Sequence, residues 1–398
     1  MIKRPEYLKN LFSFKDKQLI KIVTGVRRCG KSTLFELYQK ELLKDKIPSK
    51  QIQSINMEDP AYAELMDWRK LYDYVNKRLV PGKKNYVFID EIQNVADFEK
   101  AADGLFIKKN VDLYLTGSNS KMQSGEWATL LSGRYVEIHM LPLSFKEYHS
   151  AAYTGNLEET FRNYLENSSF PYALQLDGDK KQIRDYLGGI YNTVVLKDIV
   201  ENKKIRDVSR LESVIKFMAD NVGNVTSIKK ISDTMTSDGI KMLPITIENY
   251  LDAFRNSFIL YKISRYDVKG KKYLQTLDKY YLVDMGLRYY LLGDRKTDRG
   301  HILENIVYLE LLRRGYKVYI GKVGDKEVDF AVEGADGIEY YQVADTLIQE
   351  KTLERELAPL DAIKDHNPKF ILTRDFEPKT SHNGIKQLNI FDWLLSEK

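Results

Sequence analysis

The chain has 398 residues, too many for one ordinary core, so several domains are expected. With 43% apolar and 30% charged residues, its composition is that of a folded globular protein and excludes a disordered one. A net charge of +5 permits a nucleic-acid partner without requiring one, and a single cysteine, Cys29, excludes an internal disulfide framework.

The opening segment MIKRPEYLKN is basic, but no apolar h-region follows it. No apolar run reaches the roughly 18–20 residues needed to span a bilayer. His139, His149, His301, His366 and His382 are scattered and make no zinc pattern with one cysteine. A cytoplasmic protein with no membrane contact is the expectation.

The stretch LIKIVTGVRRCGKSTLFELYQKELL is the most informative. Leu19 to Val23 reads as a strand buried on both faces, as in a parallel sheet. Gly25-x-x-x-x-Gly30-Lys31-Ser32 follows, and then a helix with apolar residues at 34, 35, 38, 42 and 43. The glycines let the backbone curl until successive N–H groups point at phosphate oxygens, and the helix N-terminus adds its dipole. Gly25, Val26, Arg27, Arg28, Cys29, Gly30, Lys31, Ser32 and Thr33 are thus the expected phosphate cradle for ATP. Lys31 would reach the β- and γ-phosphates, and the Ser32 hydroxyl would bind Mg²⁺. Cys29 is either a redox brake, its thiol acidified by the helix N-terminus, or simply a small loop residue.

NYVFIDEIQ (85–93) reads as a second buried strand ending in Asp90-Glu91. Asp90 is expected to hold Mg²⁺ through its water shell, and Glu91 to polarise the attacking water. VDLYLTGSNS (111–120) is a third strand, whose end offers Ser118 or Asn119 as a γ-phosphate sensor or as plain turn residues. In LLSGRYVEIHMLPLSFKEY, Arg134 stands just before a strand, where an arginine could stabilise transition-state charge or make a surface ion pair.

In this order, GVRRCGKSTL, FIDEIQ, LTGSNS and SGRYVEIHMLPLSFKEY resemble a bacterial and archaeal family that joins an AAA-type P-loop ATPase domain to a C-terminal domain of unknown function. The likeness covers nearly the whole chain, RPEYLKNL at the start included. It implies an ATPase with Lys31, Ser32, Asp90 and Glu91 at its centre and Arg134 as a finger reaching from a neighbour in a homo-oligomer. One departure is SSFPYALQ (168–175), where the family has Gly-Gly-Phe-Pro; serines need a less permissive backbone there.

Residues 151–204 carry apolar positions at helical spacing, which suits the small lid of AAA-type proteins. From 210 to 284 the order is helix, short helix, turn, helix and a β-hairpin, an order resembling a winged helix. The hairpin holds Lys262, Arg265, Lys269, Lys271, Lys272 and Lys279 against Asp267 and Asp278. Lys269, Lys271 and Lys272 are the expected contacts to DNA phosphates. The preceding helix offers only Arg255, Asn249 and Asn256 for base reading and also carries Glu248 and Asp252, so packing or protein contact stays open beside DNA binding.

The last hundred residues run helix, three strands, helix, strand, and a closing segment. This order resembles the restriction-endonuclease-like PD-(D/E)XK fold, and Glu304, Asp329 and Gln342 stand where its metal ligands would be. That chemistry needs carboxylates for Mg²⁺ and a lysine for the water. Gln342 offers a neutral carbonyl and Ala344 no amine, although Lys351 on the next helix could replace it. An inactive nuclease-like domain is therefore expected. The fold class is α/β, with an ATPase core at 1–150, a helical lid at 151–205, a winged helix at 206–295 and the nuclease-like domain at 296–398.

Overall fold

The structure is a computed structural model, and it describes residues 2–117, 131, 133–201, 205, 207–270, 272–293, 299–376 and 381–397. They form two compact units. The first comprises the chain up to Pro142, Phe170–Tyr172 and a short stretch from Lys197. The second comprises Leu143–Ser169, Ala173–Leu196 and the C-terminal half.

The first unit is built on a five-stranded parallel sheet, with β1 at Ile20–Thr24, β2 at Ile52–Asn56, β3 at Asn85–Asp90, β4 at Val111–Gly117 and β5 at Tyr135–His139. The strand order is β2-β3-β4-β1-β5. All pairs are parallel, so the strands end together at one edge, where ligands of open α/β sheets bind. β1, β3 and β4 are buried along their whole length, as their apolar and β-branched residues require. Lys21 breaks the apolar pattern of β1, and a buried ammonium needs a partner. Asp112 on the neighbouring β4 supplies it: both side chains are fully buried and hydrogen-bonded to each other.

Before the sheet, a short helix at Pro5–Ser13 starts with proline at its first position, where the missing N–H costs nothing. The helix at Lys31–Lys44 follows β1 directly and buries Leu34, Phe35, Tyr38 and Leu42.

In the second unit, the expected helical stretch is present as helices at Phe145–Ala152, Leu157–Glu166 and Lys180–Tyr191; a π-helix at Asn192–Glu201 continues the last, and from Lys197 it belongs to the first unit. Ser168 adopts φ +84°, a glycine-like conformation, where the family pattern has glycine. Ser169 is held by Asp284 Oδ2, which accepts from its N–H and its hydroxyl at 2.7 Å each. Two serines therefore meet the backbone demand, at the cost of a strained Ser168.

Three helices, Val208–Asp220, Ile228–Ser237 and Pro244–Asn256, precede the hairpin of β6 (Leu260–Asp267) and β7 (Lys272–Leu282). The hairpin does not stand alone. β8 (Lys317–Val323), β9 (Lys326–Gly334), β10 (Gly337–Ala344), β11 (Lys369–Thr373), β12 (Ser381–His382) and β13 (Ile385–Asn389) join it in one eight-stranded sheet, ordered β12-β13-β11-β10-β9-β8-β6-β7. Arg265, Tyr266 and Asp267 of β6 pair in parallel with Ile320, Gly321 and Lys322 of β8. The helix Arg299–Arg313 is buried from Ile302 to Leu311, so it is core on all sides. Its Asn305 closes the edge strand β7 by accepting from Leu282 N–H and donating to Leu282 C=O, both at 2.8 Å. Among the described residues no helix is long and apolar enough to cross a membrane.

Candidate active site

The loop between β1 and the Lys31–Lys44 helix has the shape its glycines imply. Gly25 has φ +144°, and a Cβ there would stand 2.1 Å from the carbonyl oxygen of Met140, so no other residue fits. Gly30 has φ +106° and Arg28 φ +67°. This run of positive φ turns successive N–H groups inward, the geometry of an anion-binding nest.

Lys31 is buried and donates to the carbonyls of Gly25 and Val26, at 3.1 and 3.3 Å. Its ammonium also lies 3.9 Å from Glu91 Oε1. Arg27 pairs with Glu58 at 3.1 Å, in the turn after β2. Val26 and Cys29 are fully buried. Burial pushes the Cys29 thiol up, so the loop does not acidify it and the redox alternative has no support.

The carboxylates come from the end of β3. Ile89 is in register with Leu115 of β4, which sets Asp90 beside Thr116. The buried Thr116 hydroxyl donates to Asp90 Oδ1 and accepts the Glu91 N–H at 2.9 Å. The Ser32 hydroxyl also lies close enough to Asp90 to favour its charged form. Burial raises the Asp90 pKa, and the Ser32 and Thr116 hydrogen bonds partly offset it. Glu91 turns away from the strand with φ +53°, rare for a non-glycine residue. The Gln93 side-chain amide donates to Glu91 Oε2. The adjacent carboxylates thus face different partners: Asp90 a hydroxyl pair, Glu91 the lysine and an amide.

A further residue fixes the loop from outside. Arg4, 3% exposed, donates to the carbonyls of Cys29 (3.1 Å), Leu141 (2.7 Å) and Pro142 (3.3 Å). Tyr7 accepts the Leu141 N–H at 3.0 Å. The Gly30 Cβ position lies 3.8 Å from both Arg4 Nη1 and Pro171 Cγ, so Pro171 lies beside the loop. His139 at the end of β5 meets the Thr24 hydroxyl at 3.2 Å, and burial together with the Lys31 charge pushes it down to about 4.

The remaining expected residues fall elsewhere. Ser118 and Asn119 lie outside the described residues. Arg134 precedes β5, at the opposite end of the sheet from the loop, roughly 13–16 Å of strand away. There it pairs with Asp103 at 3.5 Å and lies over the Phe106 ring. Within one chain it does not reach the loop. Of the hairpin's basic residues, Lys262 pairs with Asp278 (2.8 Å), Arg265 with Glu327 (3.5 Å) and Lys279 with Glu304 (2.7 Å). Lys269 is exposed, and Lys271 lies outside the described residues, as does the Lys272 side chain. Glu304, Asp329 and Gln342 do come together, Ala344 ends β10, and Lys351 is exposed on the first turn of the helix Glu350–Asp361.

Thr116, Gln93 and Arg4 were not singled out by sequence, and Lys279 was named only among the hairpin's basic residues. Only Arg4 had a local signal, its place before a proline-started helix.

A glycine loop between strand and helix, with an Asp-Glu pair on a nearby strand end of a parallel sheet, defines a Walker-type P-loop protein. Residues 17–149 match the family described as an AAA domain, and residues 158–298 match a domain of unknown function. An uncharacterized protein of Haemophilus influenzae is 40% identical over 99% of both chains. The uncharacterized protein MJ1544 of Methanocaldococcus jannaschii is 31% identical over 87% of this chain and 79% of its own. The Walker-type ATPase PABY2304 of Pyrococcus abyssi shares the fold, with a TM-score of 0.50 at 14% identity over 73% of this chain and 96% of that one. The chain belongs to the family of these bacterial and archaeal relatives, an AAA P-loop ATPase family.

Proposed function

We propose that this protein binds Mg-ATP at the Gly25–Thr33 loop and hydrolyses it. The observation that carries this is the Thr116 hydroxyl bridging Asp90 and the Glu91 N–H, which gives two adjacent carboxylates separate tasks. Ser32 and Asp90 fit Mg²⁺, because a hydroxyl and a buried carboxylate already meet there and both are oxygen donors. Mg²⁺ supplies charge neutralisation at the phosphate oxygens when bound. Lys31 would exchange the Gly25 and Val26 carbonyls for phosphate oxygens, which are far better acceptors for an ammonium. Glu91, turned off the strand and beside Lys31, would accept the proton of the attacking water. Arg134 would supply charge only from a neighbouring copy, so its role rests on a homo-oligomer. Ser118 and Asn119 are retained as proposed sensors on their sequence position alone.

The test is equilibrium binding of ATP with and without Mg²⁺. Wild type should bind more tightly with the ion, and Asp90→Asn should lose that gain; binding indifferent to Mg²⁺ in both would refute the assignment of Asp90.

DNA is proposed as a partner through phosphate contacts of Lys269, Lys271 and Lys272. The outward residues of the Pro244–Asn256 helix argue against base reading: Glu248 and Asp252 are acidic, and Arg255 is tied to Asp252 at 2.8 Å. Binding that weakens steeply with salt supports the phosphate contacts; no binding at low salt removes DNA.

A further inference from the structure

The resemblance to PD-(D/E)XK folds implies a divalent cation held by Glu304, Asp329 and residue 342. The second unit brings these side chains together, but their oxygens are engaged otherwise. Asp329 and Gln342 stand one step beyond the last registered pair of β9 and β10, Phe330 with Tyr341. There, side chains continue the ladder. Asp329 Oδ2 accepts the Val343 N–H at 2.9 Å, and Gln342 Oε1 accepts the Asp329 N–H at 3.2 Å. Gln342 Nε2 donates to Glu356 Oε2 at 2.8 Å. The one side-chain oxygen Gln342 could offer an ion therefore already accepts a backbone N–H.

Glu304 is the second half of the problem. It is buried in a helix that is core on all sides, and a carboxylate there requires a counter-charge. β7 provides it. Lys279 and Tyr281, two residues apart, share one face of that strand. Lys279 Nζ lies 2.7 Å from Glu304 Oε1, 3.0 Å from Glu327 Oε1 and 3.8 Å from Asp329 Oδ1. The Tyr281 hydroxyl donates to the same Glu304 oxygen. Lys279 is only 4% exposed.

We propose that Lys279 is the built-in cation of this centre. Its ammonium takes the place of a divalent ion among Glu304, Glu327 and Asp329, so the domain keeps carboxylates without binding metal or cutting phosphodiester bonds. The charge balance supports this: Lys279 and Arg265 offset two of the three facing carboxylates, and an ammonium among those same oxygens repels a second cation. Among the described residues, no group of three or more His, Cys, Asp or Glu is arranged to hold a metal ion. Burial by itself lowers the Lys279 pKa, but Glu304, Asp329 and Glu327 outweigh it and raise the value above that of an ordinary lysine.

The centre thereby acquires a mechanical task. β7 also holds the loop between the helices Val208–Asp220 and Ile228–Ser237, through the Gly223 N–H on Tyr280 C=O at 3.1 Å and the Thr226–Asp278 bridge. Lys279 pins that strand to β9 and to the Arg299–Arg313 helix, so the carboxylate cluster acts as a staple joining the 208–282 segment to the C-terminal fold.

The test uses the full-length, nucleotide-free protein and Mn²⁺ alone, followed by electron paramagnetic resonance. Wild type and Asp329→Asn should bind Mn²⁺ identically, whereas Lys279→Met should gain one ion per chain that Lys279→Met/Asp329→Asn loses. Wild-type binding that Asp329→Asn removes would overturn the proposal, as would a folded Lys279→Met that gains nothing. If Lys279→Met does not fold, the wild-type comparison still decides. Incubation of wild type with plasmid DNA and Mg²⁺ or Mn²⁺ decides independently: cleavage abolished by Asp329→Asn refutes the proposal, and intact plasmid supports it.

Discussion

Thr116→Val removes one hydroxyl from the active site and changes little else. Valine has nearly the same shape, so the fully buried site on β4 stays packed. Two interactions go. The buried Glu91 N–H loses its acceptor at 2.9 Å, a penalty of about 1–3 kcal/mol, and Asp90 loses a donor, about 1.5–3 kcal/mol for a bond to a charged group. Glu91 holds φ +53°, a conformation costing about 1–3 kcal/mol that surrounding contacts must maintain. Without the Thr116 anchor, its backbone relaxes and the carboxylate leaves the position beside Lys31. Taking about 2 kcal/mol as the share that reaches the transition state gives roughly a 30-fold fall in kcat. The Thr116 hydroxyl bonds Asp90 and Glu91, not the phosphate loop, so Kd for ATP measured without Mg²⁺ should move by less than about threefold. Steady-state ATPase kinetics together with equilibrium ATP binding separates the two quantities. Thr116→Ser should recover most of the rate, because it restores the hydroxyl. A Thr116→Val protein with kcat within about threefold of wild type would refute the bridging role, as would a loss confined to Kd.

Two other perturbations probe the same unit. Arg4→Met keeps the stem but removes donors from the carbonyls of Cys29, Leu141 and Pro142; loss of about 2–3 kcal/mol should lower the melting temperature and weaken ATP binding about tenfold or more, and unchanged affinity would show that the loop holds its shape unaided. His139 has a folded pKa of about 4 against an ordinary 6.5, so between these values the unfolded chain binds more protons and stability rises with pH. Its contribution is therefore lost as pH falls from about 6.5 towards 4, by at most about 3 kcal/mol. Melting temperatures at pH 7 and pH 5 should differ less in His139→Gln than in wild type, and equal differences would show that another group carries the acid sensitivity.

The P-loop was legible because its chemistry is local: spacing alone fixes Gly25, Gly30, Lys31 and Ser32, and the strand before Asp90-Glu91 fixes their edge. Thr116 was not, since its role depends on the register between β3 and β4, which no single strand encodes. The sequence pattern LTGSNS drew attention to Ser118 and Asn119, two residues further on. The hairpin's inner partners were hidden for a different reason. A basic run looks like a phosphate-binding wing until its partners are known, and Glu304 and Glu327, which neutralise Lys279, lie 25 and more residues away in the chain. Likewise the order of strands brought Glu304, Asp329 and Gln342 to one place, but what fills that place comes from β7, outside the segment that carries the resemblance. Arg134 shows the limit of a single chain: its position before β5 is as expected, and among the described residues one copy pairs it with Asp103 and lays it over Phe106.

The central claim is ATP hydrolysis with Lys31 on the phosphates and Glu91 as the base. ATP turnover by wild type, Lys31→Ala and Glu91→Gln, each measured beside its ATP affinity, tests it most directly. Mg-dependent turnover in wild type, weak binding and no turnover in Lys31→Ala, and tight binding without turnover in Glu91→Gln is the predicted pattern. Glu91→Gln turning over at the wild-type rate, or a wild-type protein that binds no ATP, would contradict it.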